Sequence, residues 1–312
     1  MNKVKFIVAI CVAALTVAPL ASRFARPAAA QELEGTLKKI KDSGAITIGY
    51  RESSVPFSYI DDNQKPVGFA DDICAKIVDA VKAKLKLDKL EVKFNPVTSA
   101  TRIPLIANGT VDLECGSTTN NPDREKQVAF TNSHFLSATR WLYKKTNKIV
   151  TLKDMAGKTV VSTAGTTNIK QLNEANTKFN LGINIVSAKD HSEAFLMVET
   201  DRAVAFVMDD ILLAGFKANS RDPKLYAISD DTLSRAEPYG IMLRRGDPSF
   251  KAVADKATAD LYTSPEIKTL YDKWFTKPIN SHGLNLDYPM TPTMTKMFAH
   301  PSDSGDPAAY AP

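Results

Sequence analysis

The sequence predicts an α/β protein built in two halves. Strand-like apolar runs alternate with stretches at helical spacing along both halves, which implies parallel strands joined by crossover helices. The 312 residues are about twice the length of a common domain. With 44% hydrophobic and 24% charged residues the composition is that of an ordinary globular protein able to bury a sizeable core. No sequence repeat links the halves; the same plan is used twice.

The first thirty residues follow a different rule. Lys3 and Lys5 precede an apolar stretch over 6–21, and Ala28-Ala29-Ala30 fits a small-residue cleavage site, so residues 1–30 read as a secretory signal cut after Ala30. A retained membrane anchor is the competing reading, disfavoured by Pro19 and the alanine-rich end. Lys3, Lys5, Arg23 and Arg26 carry four of the five net positive charges. Without them the chain is nearly neutral, and a nucleic-acid role loses its compositional support. Export into an oxidising compartment changes the reading of Cys74 and Cys115: a single disulfide is expected, with two buried free thiols as the alternative.

An amphipathic start over 33–41 stops at Ser43-Gly44, and 45–50 reads as a strand. After the turn "DDNQKP", Ile73, Ile77, Val81 and Leu85 recur at helical spacing. A strand over 90–97 is followed by "TSATRIPLIANG", a short helix starting near Thr101, because Pro104 is tolerated only in a first turn. "TVDLECG" is the next strand, running into the polar tip "STTNN". In the second half "KTVVST", "INIVSA" and "AVAFVMDD" read as strands, and "IKQLNEAN", "HSEAFLMVETDR" and "ILLAGFKAN" as helices. Residues 250–275 return to helical patterning, and the small, polar, proline-rich 301–312 is expected to be disordered.

Unusual side chains fall at strand or turn ends: Arg51; Ser99 with Arg102; Ser117 with Thr119; then Thr166-Thr167, His191 and Asp209. Each alone has an ordinary reading as a surface arginine, helix cap, turn threonine or solvated aspartate. Their joint position at carboxyl ends of strands, where open α/β sheets hold ligands, argues for a site. Two arginines and a histidine against one aspartate suit a small anion with two carboxylates and one ammonium. Small-residue turns at helix starts add N–H donors.

The stretches "YRESSVPFSY", "RIPLIANGTVDLECGSTTNN", "AGTTN", "SAKDHSEAF" and "RAVAFVMDD" together resemble the periplasmic glutamate/aspartate-binding proteins of amino-acid ABC importers, from about residue 35 to 290. The resemblance implies a two-lobed periplasmic-binding-protein clamp, each lobe a mostly parallel sheet flanked by helices. Lobe 1 would span 31–138 and 242–300, lobe 2 144–236, with hinge crossings at 139–143 and 237–241. It implies that Arg102, Thr119 and the Thr167 region hold the α-carboxylate, Ser117 and Asp209 the ammonium, and Arg51, Ser99 and His191 the side-chain carboxylate. Phe57 or Tyr59 would cover the ligand's methylenes or pack in the core. The implied partners are L-glutamate or L-aspartate and the permease subunits of an ABC importer, with the protein a periplasmic monomer. The Cys74–Cys115 disulfide is not inherited from the resemblance.

Two other functional classes are compatible with a clamp of this kind. Related clamp folds include dehydratases, but no G-x-S-x-G elbow, H-E-x-x-H or P-loop is present. The four histidines, His134, His191, His282 and His300, form no metal-binding spacing, so neither cofactor nor metal is expected. A sensory module would present the amino acid to a separate receptor.

Overall fold

Two five-stranded sheets organise the chain, and they share one strand order. In the first, Glu91–Pro96, Ala45–Tyr50 and Leu113–Cys115 run parallel, and Met242–Arg244 then pairs antiparallel with both Leu113–Cys115 and Val128–Phe130. In the second, Asn184–Ala188, Thr159–Thr163 and Ala205–Asp209 run parallel, and Thr139–Lys144 pairs antiparallel with Ala205–Asp209 and Tyr226–Ile228. This computed structural model describes Met1, residues 33–279 and residues 283–311. Met1 apart, the expected export signal and its cut lie outside the described residues. Among the described residues no helix is long and apolar enough to cross a membrane.

Local sequence accounts for the element ends. The first helix, Gly35–Ser43, stops at Gly44, which takes the left-handed φ of 67° and donates its N–H to the Ile40 carbonyl at 2.8 Å. Phe69–Leu85 buries Phe69, Ile73, Ile77, Val81 and Leu85 along one stripe, each contributing about 1.5–3 kcal/mol by leaving water. Arg102–Ala107 begins at Arg102, with Pro104 in its first turn. The patterned 250–275 region is two helices, Pro248–Tyr262 and Glu266–Phe275, parted at Ser264-Pro265.

Two expectations change and one open alternative is decided. The first crossing was expected at 139–143, yet those residues lie inside Thr139–Lys144, paired on both sides, with Trp141 fully buried. Their alternation suits a strand and an extended linker equally, and only the partners decide. The connection between the sheets is instead a two-stranded ribbon, Phe135–Ser137 against Glu237–Tyr239. Next, neither aromatic of the 51–60 loop lines a ligand cleft. Phe57 is wholly buried, its ring 4.9 Å from Phe135, 5.3 Å from Tyr239 and 5.7 Å from Phe275, and Tyr59 packs edge-on against Trp274. His134 shares this core, where burial holds its pKa down to about 3 and keeps it neutral.

The expected disorder of 301–312 is also corrected, for 301–311 packs as an ordered strap. Tyr310, 9% exposed, shares a 2.8 Å hydrogen bond with the Ser133 hydroxyl and donates to the Ser304 carbonyl at 2.9 Å. Asp303 pairs with Lys251 at 2.7 Å. A Cβ on Gly305 would lie 2.9 Å from the Asn121 Cα, so glycine admits the close approach. Averaged composition reads as disorder; one aromatic anchor outweighs it.

Cys74, on Phe69–Leu85, is disulfide-bonded to Cys115 at the end of Leu113–Cys115, Cα atoms 6.2 Å apart. Protein lacking residues 1–30 and denatured without reductant is expected to show no free thiol. Reduction should lower unfolding free energy by about 2–4 kcal/mol; two titratable thiols in exported protein would contradict the bond.

Candidate functional site

Arg51 follows directly from Ala45–Tyr50 and is 1% exposed. Its backbone N–H donates to the Ser58 hydroxyl at 2.9 Å, and Nη2 lies 3.3 Å from Nε2 of His191. Arg102, 3% exposed, donates through Nη1 to the Thr118 hydroxyl. Thr118 in turn donates to Glu114 Oε2 at 2.6 Å, and Glu114 Oε1 lies 3.7 Å from Arg102 Nη1. Gly116 makes this crowding possible. A Cβ there would sit 2.5 Å from Glu114 Oε1 and 2.9 Å from Arg51 Cγ.

The facing wall comes from the second sheet. Thr166 caps the helix Thr167–Phe179 by accepting the Ile169 N–H at 3.2 Å, which fixes Thr167 and Asn168 in its first turn. His191 opens the helix His191–Glu199, capped by Asp190, and its Nδ1 lies 2.8 Å from the Thr163 hydroxyl. Asp209 ends Ala205–Asp209 and is 4% exposed. Oδ1 accepts from Asn168 Nδ2 at 2.8 Å and Oδ2 from the Tyr239 hydroxyl at 2.5 Å. Its carboxylate makes no capping bond to the following helix, whereas Asp210 accepts the Ile211 N–H at 2.7 Å. The Asp209 carboxylate is therefore engaged by Asn168 and Tyr239 rather than by the helix end.

Ser99, Arg102, Ser117 and Thr119 on one side, and Thr167, His191 and Asp209 on the other, line one narrow, nearly closed cleft of about 10 Å³. Arg51 reaches it beside His191. All eight ligand-site residues expected from the sequence thus converge. The two walls nearly touch, with Thr119 Oγ1 3.5 Å from Thr167 Oγ1. Among the described residues, Arg51 Nη1, Arg102 Nε, Ser99 Oγ and Ser117 Oγ are buried with no hydrogen-bond partner. Buried polar groups are rarely left so, and these four suit a ligand that both accepts and donates.

Burial dominates the electrostatics. It brings the Arg51 pKa down to about 9, with neighbouring Arg102 adding to the effect, and the guanidinium stays charged at neutral pH. His191 is held well below its usual range by burial, then by Arg51 and Arg102. A guanidinium can only donate, so His191 Nε2 accepts from Arg51, and the neutral ring carries its proton on Nδ1 toward Thr163. His191 thus lines the cleft and accepts from Arg51. Burial raises Asp209, against the lowering bonds from Tyr239 and Asn168. Burial, then Asp209, pushes Glu237 up to about 7.

Sequence reasoning missed Asn168 in the lining and the residues behind it. An acid inside the apolar strand "VDLEC" was a signal for Glu114, and Asn168 stands in the quoted "AGTTN". Thr118 stands in the quoted "STTNN", whereas Tyr239 carried no signal, because its bond to Asp209 joins segments 30 residues apart. Among the described residues no His, Cys, Asp and Glu group is placed to hold a metal.

Twin sheets joined by a two-stranded ribbon, with a charged polar cleft between them, define a two-lobed ligand clamp. The chain belongs to the bacterial extracellular solute-binding proteins, family 3, which it matches over residues 46–277. It is 50% identical over 290 residues to an L-glutamate/L-aspartate-binding protein of Pseudomonas aeruginosa, covering 93% of this chain and 96% of that one. It is 46% identical over 275 residues to a glutamate/aspartate import solute-binding protein of Escherichia coli, covering 88% and 91%. A solved ancestral arginine-binding protein bound to arginine superposes with a TM-score of 0.66 at 28% identity, covering 74% of this chain and 98% of that one.

Glu237 generates a pH prediction. The folded protein holds its proton to about pH 7, whereas an unperturbed carboxyl releases it near 4.5, so stability falls as pH rises between these values. Asp209 contributes in the same direction. Glu237→Gln should flatten part of the fall in melting temperature across that window; an unchanged slope would contradict the assignment.

Proposed function

We propose that this protein captures glutamate or aspartate in the interlobe cleft, outside the cytoplasmic membrane, and delivers it to the permease subunits of an ABC importer. Export to the periplasm with cleavage after Ala30, and a monomeric state, belong to the same reading. The observation that carries it is the pairing of two buried arginines on one wall with one buried aspartate on the other, a charge set that complements an acidic amino acid. The names of the relatives support the same ligand class.

In this reading Arg102 grips the α-carboxylate, assisted by Thr119 and by Thr167 with the N–H groups at the start of its helix. Ser117 and Asp209 hold the ammonium. Arg51 and Ser99 take the distal carboxylate, and neutral His191 keeps Arg51 aimed. A ligand whose carboxylate meets Arg102 while its ammonium meets Asp209 touches both lobes only when they close, and this differential contact drives closure. The ribbon Phe135–Ser137 with Glu237–Tyr239 is the hinge about which they close.

Calorimetric titration of refolded, ligand-free protein with glutamate, aspartate, glutamine and asparagine tests the reading. The two acids should bind far more tightly than their amides; equal affinities would overturn it. Arg51→Met should weaken glutamate by about 2–5 kcal/mol, the loss typical of truncating a buried charge pair, and glutamine much less. Equal losses for the two would remove Arg51 from the distal carboxylate.

Asp209→Asn keeps size and removes charge, so glutamate affinity should fall by about 2–5 kcal/mol. Ligand-induced compaction in small-angle scattering should be lost as well. Near-normal binding and compaction would exclude an ammonium contact.

A further inference from the structure

Arg124 carries a buried charge that the site above does not use. It is 7% exposed, on the short helix Pro122–Glu125, where the Asn121 side chain accepts its backbone N–H at 2.9 Å. Its Nη1 donates to the Thr119 carbonyl at 2.7 Å, and its Nη2 to the Gly165 carbonyl at 3.2 Å. Thr119 belongs to the lobe of the first sheet. Gly165 belongs to the second, in the turn leading to Thr166 and Thr167.

One planar fork therefore holds a main-chain carbonyl from each wall. The walls also approach closely at Gly165, where φ is +76° and a Cβ would lie 2.6 Å from the Ala100 Cα. The strap braces the same place: the Asn120 amide donates to the Asp303 carbonyl at 2.8 Å, and Gly305 seats against Asn121. Lysine offers a point charge on a flexible stem and lacks this two-pronged reach.

We propose that Arg124 is a positioning residue that latches the two lobes through their backbones and sets the spacing between Thr119 and Thr167 around the bound amino acid. This rests on the reading of the cleft as an amino-acid site. Both latch partners are carbonyls of the protein, so the latch strengthens closure without choosing among ligands. An open clamp separates Gly165 from Arg124, so the contribution falls on ligand release.

The test compares the full mature chain with its Arg124→Met and Arg124→Lys variants by calorimetry, stopped-flow dissociation and ligand-free melting temperature. Arg124→Met should weaken glutamate and aspartate by the same factor, about 10- to 100-fold, through faster dissociation, with the ratio between the two acids unchanged. Arg124→Lys should fall between. Wild-type dissociation rates in Arg124→Met, or a shifted ratio, would overturn the latch. So would a lower melting temperature accompanied by fewer competent molecules that release ligand at the wild-type rate, which marks a merely structural role. If the wild type binds glutamine and neither acid, the ligand reading fails, while the glutamine release rates of the same variants still decide the latch.

Discussion

Arg51 and Arg102 bring two guanidinium groups, 1% and 3% exposed, into one wall of a cleft whose other wall holds the buried carboxylate of Asp209. Charges removed from water must be paired or their burial is strongly unfavourable. The molecule meets this only in part. Glu114, itself fully buried, stands behind Arg102 through Thr118, and His191 accepts from Arg51. Arg51 Nη1 and Arg102 Nε still lack partners. An arrangement left incomplete at these atoms is suited to completion by a ligand with two carboxylates.

The sheets explain how so many polar groups reach one place. Ala45–Tyr50 and Leu113–Cys115 are parallel neighbours in the first sheet, and their carboxyl ends deliver Arg51 and the 116–119 segment side by side. Thr159–Thr163 and Ala205–Asp209 do the same in the second, placing the Thr166–Asn168 turn beside Asp209. Each sheet also takes one antiparallel strand from next to the ribbon, Met242–Arg244 in one and Thr139–Lys144 in the other. Tyr239, on the ribbon, bonds Asp209, while Ser137 on its partner strand donates to Asp210 at 2.6 Å. The connection between the lobes is thus wired to the cleft.

Stability and function draw on different parts of the 51–60 loop. Arg51 turns into the cleft, whereas Phe57 turns into an aromatic core with Phe69, Phe135, Tyr239 and Phe275. Large rings contribute both buried area and favourable edge-on contacts there. Because Tyr239 belongs to this core and also bonds Asp209, packing of the first lobe helps hold a cleft carboxylate that belongs to the second.

The sequence by itself determined the alternating α/β plan, the six parallel strands of the two sheets, the Gly44 stop and the eight polar residues that meet in the cleft. These follow from short-range rules of periodicity, turn chemistry and the tendency of strand ends to carry binding groups. It did not decide that 139–143 is a sheet strand rather than a crossing, that Phe57 packs in the core, or that 301–311 is ordered by Tyr310. Nor did it decide that Asn168 lines the cleft with Glu114, Thr118 and Tyr239 behind it, or that Arg124 spans the walls. Most of these depend on partners far off in sequence, such as Thr139–Lys144 with Ala205–Asp209 or Tyr310 with Ser133, whereas the Glu114–Thr118 bond spans only four residues. A side chain's local pattern states what it can bury or bond; only the folded chain supplies the group it meets.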